Sequence, residues 1–519
     1  MKTDDRDIPD IPHIDQLENA QPAPIIIPAE IVDKIHNGDD ALQFLQEAHE
    51  PYSQEEERRL LRKVDIRMLT LMLFVNGFQF IDKNTISYAG TYGLATEAHL
   101  VGQQYSLLTT IFYIGYLAAQ WPANWLMQKL PIAKVLTVAF VFWGITLTCT
   151  GACTTFRSLA TVRLLLGIFE SALNPGFVLI TASWWKREEQ PFRVGIWYSA
   201  NGFIGAPSGA IFYGIAHLHA RGLFAYQWMF IIFGAATCCF GISLWWLLPD
   251  SPMTASFLTE RERFIAVDRL KSNKTGVKNS NVKTAQYKEL LFDLRVWMLV
   301  LAIFCHNMTN SLQTTFTGLI IKGFGYNTYQ AVLLNIPGSI IMAVTMILVS
   351  GFLSTRWGKD RRIFCIMSCY IPGVIAAAIL YSSPIEASTK HLHLFAMFII
   401  PMVASAGGIM YSLLASNIAG YSKKVMAGAL FFSSNCIANI ISPQTFITKE
   451  APKYTTGMAT SLAMFAFNFC LFGVLYLMYT RENKRRELED VGEMTEEMEL
   501  ANAFADLTDR QNISFRYAR

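Results

Sequence analysis

Residues 105–127, YSLLTTIFYIGYLAAQWPANWLM, form an apolar block that contains no Asp, Glu, Lys or Arg. About 20 such residues are enough for a helix to cross the hydrocarbon core of a bilayer. Similar blocks recur along the chain, in which 52% of the 519 residues are hydrophobic and 16% are charged. Soluble domains carry about 25% charged residues, so this composition does not suit a water-exposed surface. The sequence therefore predicts an all-α integral membrane protein with many membrane-spanning helices.

Twelve such apolar blocks lie along the chain, in two sets of six. The first set lies within 65–250 and the second within 295–480. An N-terminal tail (1–64), a central loop (251–294) and a C-terminal tail (481–519) are polar. This organisation predicts two six-helix bundles joined by a hydrophilic loop.

Basic residues are concentrated in the loops on one side of this arrangement. Lys186, Arg187 and Arg193 follow the fourth block, and Arg58 and Arg485 belong to clusters beside the first and last blocks. Short cytoplasmic loops of polytopic proteins collect Lys and Arg. We therefore expect both termini to be cytoplasmic. The N-terminal tail lacks the order of a cleaved signal peptide, so the first helix should be retained.

The composition and motifs argue against several function classes. A net charge of +3 without a broad basic face does not suit nucleic-acid binding. The chain has no Walker motif, zinc-ligand spacing or GxSxG elbow, so we expect neither an enzyme nor a metal or cofactor site. The nine cysteines lie in predicted helices and are expected to be packing thiols.

A short internal match links the two halves. YSANG at 198–202 in the fifth helix aligns with FSSNC at 432–436 in the eleventh, which places Asn201 against Asn435. Many transporters consist of two related halves with a site between them. Asn201 and Asn435 are therefore candidate substrate contacts near the centre.

Charged residues within the first and fourth helices are the sharpest functional indication. Asp82 and Lys83 lie in FIDKNTISYAG (80–90), and Arg163 and Glu170 lie in RLLLGIFESALNPG (163–176). Each charge costs several kcal/mol in a membrane unless it is paired or hydrated. We expect a water-accessible cavity in which a carboxylate exchanges protons and a cation binds an anion. The alternative is that helix 4 carries fixed ion pairs and that Asp82 and Lys83 mark a helix end at the headgroups.

A polar series in the seventh helix supplies further candidates. His306 and Asn310 share one helical face in VLAIFCHNMTNSLQTTFTG. Such residues serve equally well as substrate contacts or as hydrogen-bonding links between helices.

Several motifs in this order resemble the major facilitator superfamily, and within it the anion:cation symporters of the fungal allantoate permease branch. The resemblance rests on the two charged motifs above and on four further stretches. These are HLVGQQYSLLTTIFYIGYLAAQWPANWLMQKLPIAK (99–134), PDSP (249–252), GFLSTRWGKDRR (351–362) and SNIAGYSKK (416–424).

The resemblance implies twelve helices in two pseudo-symmetric bundles that work by alternating access. It implies proton coupling for Asp82 and Glu170, anion binding for Lys83 and Arg163, and gating for a set in the loop after the eighth helix. The gating set is Gly351, Arg356, Gly358 and Arg361. Lys83 departs from the wider family, in which this position is often arginine, and lysine lacks the bidentate fork for a carboxylate.

We therefore expect a monomeric, proton-coupled importer of a small organic anion such as allantoate, ureidosuccinate or a carboxylate vitamin, in the plasma membrane or an internal membrane. A carrier of thiamine-like or other vitamins or amino acids is the alternative within transport. A non-transporting nutrient sensor is the alternative from another class.

Overall fold

The structure is a computed structural model, and it describes residues 52–186, 189–217, 222–270, 284–353, 355, 358, 360–489, 508–512 and 515–519. Most of the N-terminal tail, much of the C-terminal tail and the gating candidate Arg356 lie outside the described residues. Elsewhere the architecture is helical, and the predicted fold class is confirmed.

The N-terminal half contains helices α1 to α6. Helix α1 continues an amphipathic helix, Gln54–Val64, through one π-helical turn, Asp65–Leu69. The bounds are α1, Thr70–Thr91; α2, Gln104–Lys129; α3, Ile132–Thr150; α4, Phe156–Trp184; α5, Gln190–Tyr198 and Ala200–Ile215; and α6, Ala225–Leu247.

The C-terminal half contains helices α7 to α12. Two short helices, Glu260–Asp268 and Thr284–Leu291, lie between the halves. The bounds are α7, Leu294–Asn307, Asn310–Thr314 and Thr317–Gly323; α8, Thr328–Leu353; α9, Arg362–Ser382; α10, Lys390–Asn417; α11, Tyr421–Ile441; and α12, Thr455–Glu489.

Within the described ranges, nine helices are long and apolar enough to cross a membrane. Helices α2, α5 and α7 complete the twelve. Helix α2 is long but carries Tyr, Gln and Asn side chains, whereas α5 and α7 are divided into shorter pieces.

The seventh helix differs from the continuous helix that the sequence predicts, because it is broken twice. Asn307 and Thr309 donate side-chain hydrogen bonds to the carbonyls of Ile303 and His306, and Thr317 donates to the carbonyl of Leu312. Such local bonds compete with the helical ladder and favour bends. At each break, backbone N–H and C=O groups lose their helical partners and become available at the interface between the halves.

Glycines set the closest approaches between helices. A Cβ at Gly167 of α4 would collide with the carbonyl oxygen of Phe112 in α2, and one at Gly202 of α5 would collide with Ala343 of α8. Helix backbones come this close where small residues line the interface. The first contact lies inside the N-terminal half, and the second joins the two halves.

The same type of ion pair joins the first and fifth helices of each half, at the end of the molecule where the central loop lies. Asp65 accepts hydrogen bonds from Arg193 Nε and Nη2 at 2.8 and 2.9 Å. Lys423 Nζ donates to Asp293 at 2.7 Å, and also to Glu289 and Asp509. The two halves therefore share a feature that short sequence matches did not reveal.

Candidate functional site

A buried ion pair joins α1 to α4. Lys83 Nζ lies 3.0 Å from Glu170 Oε1, and Gln79 Nε2 donates to the same oxygen at 2.7 Å. Gln79 and Lys83 are one helical turn apart, so both reach the same neighbour. The Glu170 side chain is 0% exposed and that of Lys83 is 26% exposed. Lys83 thus lies at the boundary between the buried acid and the accessible space.

The second acid, Asp82, has a different partner. Its Oδ2 accepts a hydrogen bond from Trp143 Nε1 of α3 at 2.9 Å, and both residues are buried. Trp143 was not predicted as a site residue because it lies in an almost wholly apolar helix. Its indole N–H was the available signal, since a buried Trp N–H usually has a partner.

Arg163 has side-chain N–H groups that are not used in hydrogen bonds to the described residues. It is 4% exposed, yet its Nε and Nη2 have no hydrogen-bond partner among the described residues. Its guanidinium lies 5.6 Å from the ring centroid of Phe230 in α6, which is within cation–π range. A buried guanidinium with free N–H groups is suited to receive an anion.

Three of the four charged side chains line one cavity. Asp82, Lys83 and Arg163 share it with Tyr113 and with neighbours from α1, α2 and α7, which are Ile86, Thr109, Phe112, Thr314 and Thr315. Its volume is about 20 Å³, which is room for about one water molecule. The described conformation is therefore nearly closed around the charges, and an organic solute would need it to open.

An asparagine cluster in α7 and α11 reaches the hydroxyl of Tyr113, which is one of the residues lining the cavity. Asn310 Nδ2 donates to Asn439 Oδ1 at 2.7 Å, and Asn439 Nδ2 donates to Asn435 Oδ1 at 2.9 Å. Asn310 Nδ2 also lies 3.4 Å from the Tyr113 hydroxyl. The structure thus brings Asn310 and Asn435 together through Asn439. That residue was missed, although it follows Asn435 by one helical turn.

Asn201 and His306 are not among the residues that line the cavity. Asn201 Oδ1 accepts a hydrogen bond from Asn76 of α1 at 3.2 Å. His306 Nδ1 lies 2.8 Å from the hydroxyl of Tyr370 in α9, which in turn accepts a hydrogen bond from Asn468 of α12. Both residues therefore link helices within their own half in this conformation.

The candidate gating residues lie where α8 ends and α9 begins. Gly351 is in α8, and a Cβ there would meet open space. Gly358 is buried in the following turn, where a Cβ would collide with the Phe352 carbonyl. Arg361 is exposed at the start of α9.

The two halves are joined at the end opposite the central loop. The Tyr105 hydroxyl lies 2.9 Å from the carbonyl oxygen of Ile86 in α1 and 3.1 Å from that of Thr315 in α7. The backbone N–H of Gly318 donates to Ser87 Oγ at 3.2 Å. These contacts between α1, α2 and α7 close this end of the molecule.

Comparisons with known proteins agree with this architecture. The Major Facilitator Superfamily model matches residues 72–443. The chain is 32% identical over 504 residues to the allantoate permease of Saccharomyces cerevisiae, which is 94% of this chain and 91% of that protein. It is also 32% identical over 484 residues to the thiamine pathway transporter THI73 of the same yeast, which is 93% of this chain and 90% of that protein.

Among solved structures, the proton:xylose symporter XylE bound to 6-bromo-6-deoxy-D-glucose has a TM-score of 0.60 at 15% identity. The match covers 80% of this chain and 94% of that chain, and at this identity it shows the fold alone. The matching family model and the two yeast relatives extend over most of the twelve helices. The chain therefore belongs to the major facilitator superfamily of multi-pass membrane transporters, in the branch that includes the yeast allantoate permease.

Proposed function

We propose that this transporter imports a small organic anion together with protons, and that it acts as a monomer in a fungal plasma membrane. The observation that carries the proposal is the buried Lys83–Glu170 pair beside the free donors of Arg163. A cation whose charge is balanced by a buried carboxylate can exchange that carboxylate for the carboxylate of a substrate.

The proposed coupling follows from competition for Lys83. An ionised Glu170 holds the ammonium, whereas a protonated Glu170 attracts it far less. The ammonium of Lys83, which already borders the cavity, is then free, and it and Arg163 offer two cationic contacts to an anion. Loss of the proton restores the original pair and releases the anion. Proton binding and anion binding thereby favour each other.

Asp82 is proposed as the second proton-coupling acid. It shares the cavity with Arg163, and its Oδ1 has no partner within the described part of the chain. A proton on Asp82 would remove a negative charge from this cavity and so favour anion entry.

We propose that Asn310 and Asn435 bind the uncharged part of the substrate. Support comes from the position of their amide cluster, which meets the charged cavity at Tyr113. Amide and ureido groups of a solute offer the matching donors and acceptors. Asn201 and His306 are proposed as substrate contacts outside this cavity, which neither of them lines.

The proposed topology assigns 65–250 and 295–480 to the two bundles and places both tails and the central loop in the cytoplasm. In that orientation the contacts around Tyr105 close the outer side. The turn after α8, with Gly351, Gly358 and Arg361, then faces the cytoplasm, where it is proposed to take part in gating together with Arg356.

A thiamine-like cation is the second candidate substrate. The likeness to the thiamine pathway transporter and the free Oδ1 of buried Asp82 favour it, because a carboxylate can bind a cationic ring. An uptake measurement distinguishes the two candidate substrates. Purified protein in liposomes with an acidic exterior should accumulate labelled allantoate. Unlabelled ureidosuccinate should compete with this uptake, and thiamine should not. Competition by thiamine alone would reverse the assignment. If no solute moves, the transport proposal is wrong and a sensor is favoured.

A further inference from the structure

Asp82 and Arg163 have opposite charges and line the same cavity, yet they are not hydrogen-bonded to each other. Asp82 Oδ1 and Arg163 Nε and Nη2 are all buried without a partner among the residues that the structure describes. A buried charge left uncompensated is strongly destabilising, so direct contact would be expected unless something prevents it. The separation of the two groups therefore needs a structural cause.

The neighbours on each side supply that cause. Trp143 holds Asp82 Oδ2 at 2.9 Å, and the indole is itself fixed, because it is 0% exposed and packs edge-on against Phe140 with ring centroids 4.9 Å apart. On the other side, the Arg163 guanidinium lies against the ring of Phe230.

Trp143 and Phe230 belong to α3 and α6, which are packed backbone to backbone. A Cβ on Gly144 of α3 would lie 2.6 Å from the backbone nitrogen of Cys238 in α6. The two rings are thus carried by a rigid helix pair, and neither can easily move to let the charges meet.

We propose that Trp143 is a positioning residue that restrains the Asp82 carboxylate and so keeps the donors of Arg163 free for the transported anion. This inference rests on the proposed function for the identity of the ligand. The restraint itself is a property of the protein without ligand, so it can be tested separately.

The ligand-free test is a double-mutant cycle on thermal unfolding in detergent. Asp82→Asn, Arg163→Gln and the double variant are measured with Trp143 present and in a Trp143→Phe background. With Trp143 present the two charges still attract each other across the shared cavity, so the departure of their melting-temperature effects from additivity sets the baseline. In Trp143→Phe the carboxylate is free to pair directly with Arg163, and the departure from additivity should exceed this baseline by about 1 °C or more.

Trp184→Phe is the matched control. Trp184 is also buried, at 2% exposed, but its Nε1 has no hydrogen-bond partner within the described ranges. It therefore loses the same ring volume without losing a bond to an acid. Coupling that does not rise above the baseline in Trp143→Phe, or that rises equally in Trp184→Phe, would overturn the inference.

Binding of allantoate to the purified transporter tests whether this restraint keeps the donors of Arg163 free for an anion. Trp143→Phe should weaken affinity by about tenfold when Asp82 is present, which is the scale of one hydrogen bond to a charged group. In an Asp82→Asn background, Trp143→Phe should change the affinity for allantoate by less than about twofold. Equal weakening in both backgrounds would mean a merely structural role and would contradict the inference.

The two proposals fail in different ways. If the unfolding cycle shows increased coupling in Trp143→Phe but no anion binds the wild-type protein, the restraint stands and the proposed substrate class is wrong. If anions bind and the cycle shows no increase in coupling, the proposed function stands and the role of Trp143 is wrong.

Discussion

The ammonium of Lys83 lies 3.0 Å from the carboxylate of Glu170, although the two residues belong to different helices and Glu170 is completely shielded from solvent. The pair places the proposed anion-binding cation and the proposed proton-binding acid in direct contact. Each can therefore change partner only when the other changes charge or when substrate arrives. This relationship gives the proposed coupling its sharpest tests.

Glu170→Gln should abolish proton-driven accumulation while leaving exchange of internal for external substrate. The amide keeps the shape of the side chain but cannot gain or lose a proton, and it leaves Lys83 free for the anion. Labelled uptake into liposomes, with and without a pH gradient, measures the difference. Accumulation that still follows the gradient in this variant would contradict the assignment of Glu170.

Lys83→Met should destabilise the protein as well as stop transport. Removing one partner of a buried pair leaves an uncompensated charge, which costs about 3 kcal/mol or more. The double variant Lys83→Met, Glu170→Gln should recover most of the melting temperature and none of the uptake. A double variant as unstable as the single one would show that the lost stability does not come from the unpaired acid.

Gly318→Ala should hinder closure at the end opposite the central loop. A Cβ there would collide with Thr91 Oγ1 of α1. We expect net uptake to fall by about tenfold or more, which corresponds to about 1.4 kcal/mol on the closed state. Adding Thr91→Ala removes the colliding oxygen and should restore uptake.

The matched control is Gly214→Ala in α5, where a new Cβ meets nothing within 4 Å. It should transport normally. Equal activity of Gly318→Ala and Gly214→Ala would show that this contact does not govern closure.

Lys423→Met should release the C-terminal segment that is described at 508–512 and 515–519. Lys423 Nζ donates to Asp293 and Asp509, both at 2.7 Å, and is itself 0% exposed. Without the ammonium these carboxylates repel each other, so trypsin should cleave at Arg510 and Arg516 much faster than in the wild-type protein.

Lys129→Met provides the control for charge, because Lys129 is exposed at the end of α2. It should leave the cleavage rate unchanged. If Lys423→Met is cut no faster than this control, the segment is held by its other contacts, such as the bond from Asn483 Nδ2 to the Tyr517 carbonyl.

The pair between Lys63 and Glu262 should make a small, pH-dependent contribution to stability. Partial burial raises the pKa of Glu262, but hydrogen bonds from Lys63 and from the backbone N–H of Thr259 outweigh it and hold the pKa below 4.5. A depressed pKa means that the contribution is present above about pH 4.5 and is lost as the pH falls through the lower folded value.

Glu262→Gln should therefore melt slightly lower than the wild-type protein at pH 7 and equally at about pH 3, with the difference reduced by salt because the pair is partly exposed. A difference that persists unchanged in acid would contradict the assigned ion pair.

Much of the fold was predictable because membrane insertion depends on local composition. Each apolar block is long enough to span hydrocarbon whatever its neighbours are, so twelve helices could be counted from the chain alone. The breaks in α7 were not predicted, because side-chain bonds to carbonyls like that of Thr317 also form in unbroken helices, as at Thr137 of α3. Helix α12 also extends to Glu489, past the apolar block that ends near Tyr479.

The helices that contain charges could be identified from the chain alone, because an ionised side chain in an apolar block stands out regardless of structure. Which charges meet depends on the tertiary structure. Lys83 and Asp82 are adjacent in sequence, yet one is bound to Glu170 of α4 and the other to Trp143 of α3. The physical reason is that burial energy depends on the composition of one segment, whereas pairing depends on how distant helices rotate and pack against one another.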